Sequence, residues 1–298
     1  MSRIFEALQK AELERKNAPL SEDDLFVEPA SISSIESPPA ARADVDLDNI
    51  PRHPWTPSIA SFPTLADRGA GVEQFRSLRS RIFQARYDAP VKTILISSGM
   101  PSEGKSFVAA NLAMCLARNS ENNILLIDGD LRRPTLHRLL GAPNGPGLSE
   151  YLAGSAELAD VMHRASNPRT TDSTGMGSFQ NLTLIPAGKC GDNSSELVSN
   201  HRIEELIATA APHFDWILID SPPVLAVTDA VELAHAADAV LLIARGGSTT
   251  YSVAQSTQAT FSNSRILGFV LNDVKDAPNG GYNYNDYYFK AEATSRAK

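Results

Sequence analysis

The 298 residues hold no run of about 18 or more apolar side chains, so no segment is expected to span a bilayer. The opening stretch, MSRIFEALQK, lacks an apolar core followed by a small-residue cleavage site, and a secretory signal is not expected there. Cysteine is scarce. Cys115 and Cys190 stand 75 positions apart, which gives neither a disulfide framework nor a zinc spacing, so ordinary thiols in a reducing cytosol are expected. Basic charge is short as well, with 27 Lys and Arg against 35 Asp and Glu and a net charge of −8. Neutralising a phosphate backbone needs a basic surface, so no nucleic-acid partner is expected. Glycine is absent before Gly69.

What is present is ordinary for a globular protein: 42% hydrophobic and 21% charged residues, in a length that suits one or two domains. Residues 1–17 read as a short amphipathic helix, with Ile4, Phe5, Leu8 and Ala11 at helical spacing. So short a helix needs a surface to pack on, either its own domain or a partner. Residues 18–67 are dominated by Pro, Ser, Ala, Asp and Glu and read as a disordered or extended linker, with Trp55 and Phe62 as its sticky points.

From residue 68 to 275 the pattern is that of a folded domain. Residues 72–86 predict a helix with Phe75, Leu78, Ile82 and Phe83 on one stripe. Six short apolar runs follow: Thr93–Ile96, Ile124–Ile127, Leu182–Ile185, Trp216–Ile219, Ala239–Ile243 and Ile266–Leu271. They are apolar nearly throughout, as in strands covered on both faces. Helical stretches near 105–118, 201–211, 228–237 and 251–262 separate them. This alternation predicts an α/β fold, a mostly parallel sheet with helices on both faces. Residues 276–298 turn polar and carry NGGYNYNDYY, which reads as a flexible tail.

Three segments carry chemistry. The first is GMPSEGKS at Gly99–Ser106, matching G-x-x-x-x-G-K-[ST] between the strand KTILISS and the helix SFVAANLAMCLA. In that setting backbone N–H groups cradle phosphate oxygens at a helix N-terminus. The predicted ATP-binding residues are Gly99, Met100, Pro101, Ser102, Glu103, Gly104, Lys105, Ser106 and Phe107, with Lys105 reaching the β- and γ-phosphates and Ser106 holding Mg²⁺. The second segment is ILLIDGDLRRP, in which Asp128 and Asp130 close a strand. Carboxyl ends of parallel strands face the ligand crevice, and residues two apart share a face, so both aspartates are expected to enter it. The third is WILIDSPP, where Asp220 ends another strand in the manner of a second magnesium-site carboxylate. The expected outcome is three acids converging on one Mg–ATP.

Tyrosine placement is a further signal. Of seven tyrosines, Tyr282, Tyr284, Tyr287 and Tyr288 crowd the tail, where a flexible chain presents hydroxyls to an enzyme or serves self-association.

Taken in order, these blocks resemble the bacterial tyrosine autokinases of capsule and exopolysaccharide export. The resemblance covers about Val72 to Tyr288. EQFRSLRSRI resembles the family's E-x-x-R-x-x-R segment, and GMPSEGKS its Walker A loop. LLIDGDLRRP resembles the family's second Walker segment, and ILIDSPPVLAVTDA its Walker B strand. GLSEYLAG, NSSEL and the tyrosine tail complete the set.

The resemblance implies a P-loop kinase that passes the γ-phosphoryl group of ATP to tail tyrosines, mainly on a neighbouring subunit. It implies Lys105, Asp128, Asp130 and Asp220 as catalytic residues, with Mg²⁺ on Ser106, Asp128 and Asp220, and Asp128 as base on the tyrosine hydroxyl. Asp130 would support the metal directly or through water. Glu73, Arg76 and Arg79 would form the interface of a ring-like homo-oligomer. A separate transmembrane activator in the polysaccharide machinery is implied too, with the kinase cytoplasmic and peripheral at the inner membrane. Two alternatives stand beside this reading: a cell-positioning or partition ATPase of related Walker fold, and a non-catalytic nucleotide-dependent scaffold.

Overall fold

The computed structural model describes residues 49–57, 61–65, 69–119, 121–166, 180–189 and 194–274. The N-terminal helix and most of the linker, and the tail with Tyr282, Tyr284, Tyr287 and Tyr288, lie outside them. Among the described residues no helix is long and apolar enough to cross a membrane.

The core is an eight-stranded sheet. Its strands are β1 (Arg52–His53), β2 (Thr93–Ser98), β3 (Ile124–Asp128), β4 (His163–Ala165), β5 (Leu182–Ile185), β6 (Trp216–Asp220), β7 (Ala239–Arg245) and β8 (Ile266–Asn272), in the order β1-β4-β5-β3-β6-β2-β7-β8. The six strands predicted from apolar runs all form, and they pair in parallel. The short β4 runs antiparallel to β5, and β1 pairs with β4 at the sheet edge.

Nine α-helices are described: α1 (Ala70–Asp88), α2 (Lys105–Ala117), α3 (Leu136–Leu140), α4 (Leu148–Leu152), α5 (Leu158–Val161), α6 (Ser194–Val198), α7 (Arg202–Ala210), α8 (Asp229–His235) and α9 (Tyr251–Thr260). The sheet's period of two decides which helices each strand residue meets. Ile94, Ile96, Leu126 and Leu218 pack with α1 and α2, whereas Leu95, Leu125, Ile127 and Ile219 pack on the opposite face with α4, α5, α7 and α8. Helix α2 is buried on nearly every side, which explains why its sequence is apolar all round rather than striped.

On α1, Val72, Phe75 and Ile82 are buried as the stripe predicts. Phe83 is 40% exposed and meets the core only through its edge, against the Trp216 ring at 5.4 Å.

The last part of the stretch read as linker is packed. Ile50, Trp55, Phe62 and Leu65 are all buried, and a 3₁₀ turn forms at Pro63–Leu65. The expectation of a linker reaching residue 67 is corrected here. Composition argued for disorder, but a few large side chains suffice when apolar surface is there to receive them: Trp55, Phe62 and Leu65 join the cluster of α1 and α2, and Ile50 joins the one on the sheet's opposite face. Polar bonds fix the same contact. The Thr64 hydroxyl donates to Asn111 Oδ1 at 2.9 Å, and Asn111 Nδ2 donates to the Ser61 carbonyl at 3.0 Å.

Candidate nucleotide site

The turn between β2 and α2 is built by two left-handed residues. Ser102 has φ 64° and Gly104 has φ 94°, and at Gly104 a Cβ would meet Asn272 Nδ2 at 2.0 Å. The left-handed backbone favours glycine at that position, and any Cβ there would displace the Asn272 amide. At the other end of the loop, a Cβ on Gly99 would meet Thr257 Oγ1 of α9 at 2.3 Å. Lys105 and Ser106 then open α2, with Lys105 buried.

The strands place the acids. Leu126 and Leu218 face α2, and two residues further on Asp128 and Asp220 share that face, where α2 begins. Their register pairs them directly across the β3–β6 ladder. Between them the chain allows close approach only because residue 129 is glycine. Its N–H donates to the Asp220 carbonyl at 2.8 Å, and a Cβ there would stand 2.7 Å from that same oxygen.

Both carboxylates are wholly buried. Asp128 Oδ2 accepts from the Thr135 and Leu136 N–H groups, each at 3.0 Å. Asp128 Oδ1 and both oxygens of Asp220 have no hydrogen-bond partner. Burial pushes the Asp128 carboxyl up to about 7 against the pull of those two N–H groups. Burial, and next the charge of Asp128, hold Asp220 well above the usual carboxylate range. Lys105 and the nearby Ser106 hydroxyl favour its charged form without reversing that direction.

Three acceptor oxygens are thus shut away from water without donors, beside a lysine and a serine at a helix start. Buried charge of this kind is costly unless something positive meets it. A hard divalent cation taking one or two carboxylates together with phosphate oxygens fits that demand.

Asp130 differs from expectation. β3 ends at Asp128, so strand alternation no longer governs residue 130. Its Oδ1 folds back to accept the Arg133 N–H at 3.0 Å. Burial raises its carboxyl, and Lys105 lowers it through space. Asp128 and Asp220 meet directly across the ladder, and the charge of Asp130 reaches both of them from the turn that follows β3.

Several contacts around the loop had no local sequence signal. Glu103 is buried, its Oε2 accepting from Met100 N–H at 2.7 Å and its Oε1 from the Thr249 hydroxyl. Asn272 Nδ2 donates to the Glu103 carbonyl at 3.0 Å. Arg132, after β3, pairs through Nε with the buried Asp229 Oδ2 at 2.9 Å and also donates to the Ser195 hydroxyl. The blocks LRRP, NSSEL and VTDA therefore meet in one network. Their spacing in sequence, 63 and 97 residues from Arg132, gave no hint of it.

On α1, Arg76 Nη1 reaches Glu73 Oε1 at 2.5 Å on an exposed surface. Arg79 Nη1 instead donates to the Cys115 carbonyl near the end of α2, at 3.3 Å.

A phosphate loop between strand and helix, with two strand-end aspartates facing the helix start, defines a P-loop nucleotide-binding protein of the parallel α/β class. Comparison with known proteins narrows this. No family model matches the chain. Tyrosine-protein kinase YwqD of Bacillus subtilis is 33% identical over 214 residues, covering 71% of this chain and 85% of that protein. Tyrosine-protein kinase wzc of Salmonella typhimurium is 34% identical over 227 residues, covering 76% of this chain but only 30% of that longer protein. Among solved structures, the kinase domain of Escherichia coli tyrosine kinase Etk superposes with a TM-score of 0.65 at 31% identity, over 74% of this chain and 83% of that one. The chain belongs to the bacterial tyrosine-protein kinase family.

Proposed function

We propose that the chain is an ATP-dependent protein-tyrosine kinase that phosphorylates tail tyrosines of a neighbouring copy. The observation that carries this reading is the buried, register-paired carboxylates Asp128 and Asp220 beside Lys105 and Ser106. In the proposed reaction a tyrosine Oη forms a bond to the γ-phosphorus, the bond from that phosphorus to the β–γ bridging oxygen breaks, and ADP leaves. The loop N–H groups and Lys105 hold the phosphates. Asp128 takes the hydroxyl proton. Ser106, Asp128 and Asp220 would hold Mg²⁺, which supplies charge neutralisation on the phosphates when bound. Asp130 steadies the turn at the strand end through its bond to Arg133 N–H, and supports the metal only indirectly.

The acceptors are Tyr282, Tyr284, Tyr287 and Tyr288. Each phosphotyrosine adds roughly −1.5 to −2 charge, and several on an acidic chain repel one another. Glu73 and Arg76 lie exposed on α1 and suit a contact between copies in a ring. Loss of that ring on phosphorylation, acting through a membrane-spanning partner, would regulate polysaccharide assembly.

The test is direct. Purified protein is incubated with Mg–ATP and its phosphorylated residues are mapped, with Lys105→Met as control. Label is expected on Tyr282–Tyr288 and absent from the control. Rapid ATP hydrolysis without tyrosine label would favour a partition-type ATPase. Binding with neither hydrolysis nor label, even with an activator fragment added, would favour a scaffold.

A further inference from the structure

The far end of β8 is fastened to the phosphate loop rather than to the sheet alone. Among the described residues β8 is an edge strand, with one neighbour, β7. At its last residue, Asn272 Nδ2 donates to the Glu103 carbonyl at 3.0 Å, and the Asn272 carbonyl accepts from Gly246 N–H at 2.7 Å. The next residue, Asp273, turns left-handed at φ 51°. Its Oδ2 accepts from Arg245 Nε at 2.9 Å and Nη2 at 2.6 Å, and Arg245 Nη1 reaches the Ser102 carbonyl at 3.5 Å. Glu103 in turn is tied through its carboxylate to Met100 N–H and to the Thr249 hydroxyl, which follows β7.

We infer that Asn272, Glu103 and Arg245 form a latch that couples the phosphate loop to the root of the C-terminal tail. This deepens the kinase reading above and rests on it for its purpose, since the tail carries the proposed acceptors.

Three features make the contact more than an edge-strand cap. First, the carbonyls it grips belong to Ser102, one of the loop's two left-handed residues, and to Glu103, which lies between them. A peptide plane carries its N–H and C=O together, so any turn of the loop's N–H groups toward a phosphate moves those carbonyls. Second, the side chains flanking the latch are exposed, Leu271 on β8 before it and Val274 after it. An element with few buried contacts is free to answer a small change in its anchor. Third, residues 275–298, with all four tail tyrosines, continue directly from this point in the sequence. Positioning of the loop and positioning of the tail's first residue thus share one set of hydrogen bonds. By linkage, a nucleotide that tightens the latch biases the tail, and whatever pulls the tail away weakens the nucleotide site by the same factor.

Hydrogen exchange of the full chain tests this in two arms. Without nucleotide, Asn272→Ala should speed amide exchange at Met100 and Ser102–Gly104, and at Asp273–Val274, by roughly tenfold, about the effect of losing one neutral hydrogen bond. Arg245→Ala should do the same at Ser102 and Asp273. With Mg–ADP, wild-type exchange at Asn272–Val274 should slow, and Asn272→Ala should lose that slowing while still binding Mg–ADP, as read by fluorescence of a labelled analogue. Unchanged nucleotide-free rates in both variants overturn the latch. So does bound Mg–ADP that leaves Asn272–Val274 unaffected in the wild type. A chain that binds no Mg–ADP at all sinks the kinase reading instead, and the nucleotide-free arm still decides whether the latch exists.

Discussion

Asp128 and Asp220 face each other in register on neighbouring parallel strands, both shut off from solvent, and three of their four oxygens have no donor. Two carboxylates so placed cannot both be ionised comfortably without a cation. With Lys105 as the lysine acting on Asp220, the site suits a further cation.

Replacing one acid separates stability from function. Asp220→Asn removes a buried like charge while keeping the shape of the side chain, so the nucleotide-free protein should gain thermal stability. Tyrosine phosphorylation should fall by roughly a hundredfold or more, because charge on the transferring group loses its counterweight. Thermal melts in the absence of nucleotide, set beside phosphotyrosine yield, check both halves. A lower melting temperature together with full activity would exclude the proposed role.

The same pair sets a pH dependence. The Asp128 carboxyl rises from 3.8 to about 7 in the folded chain, so across that window the folded state keeps a proton that the unfolded chain has lost. Stability without nucleotide should therefore fall as pH climbs from about 4 through about 7. Asp128→Asn should flatten this slope. Magnesium requires the ionised form, so Mg–nucleotide affinity should strengthen over the same interval. Melting curves and titration calorimetry between pH 5 and 8 give the two trends, and parallel slopes would contradict the linkage.

How far the sequence alone reaches depends on how local each signal is. The phosphate loop, the six long strands and the helices α1, α2, α7, α8 and α9 could be read because apolar runs and glycine spacing lie within a few residues of one another, whereas the short helices α3, α4, α5 and α6 gave no such signal. β1 and β4 could not, since Arg52–His53 and His163–Arg164 are short and polar and become strands through long-range pairing, β1 with β4 and β4 with β5. For Asp130 the spacing from Asp128 suggests strand alternation, but the strand stops at Asp128 and a turn carries residue 130. Glu103, Thr249 and Asn272 are separated by 146 and 169 positions, so nothing short of the fold joins them. Trp55 and Phe62 were hidden by their polar, proline-rich surroundings, although large aromatics in such a stretch were themselves the clue.

Those aromatics give a stability prediction. Trp55 is 1% exposed, in the same cluster as α2. Trp55→Ala should cost about 3–5 kcal/mol, the usual range for emptying a large aromatic site. Phe62→Ala should cost a similar amount. Chemical denaturation measures both. Losses below about 1 kcal/mol would mean that residues 49–65 do not hold to the domain in solution.

The arginines of α1 allow a sharper division than their common motif suggests. Arg76 bonds its helical neighbour Glu73 on the surface, whereas Arg79 reaches across to the Cys115 carbonyl near the end of α2. An exposed i,i+3 pair contributes little to folding, so Arg76→Ala should leave the melting temperature nearly unchanged. If that face joins copies of the chain, the same substitution should shift sizing profiles toward monomer. Arg79→Ala removes a charge-assisted bond between two packed helices and should cost about 1–2 kcal/mol besides any effect on assembly. Light scattering coupled to sizing, with melts on the same samples, separates the two roles. An unchanged oligomer in Arg76→Ala would move the interface off this helix face, and an unchanged melting temperature in Arg79→Ala would reduce its bond to Cys115 to an incidental contact.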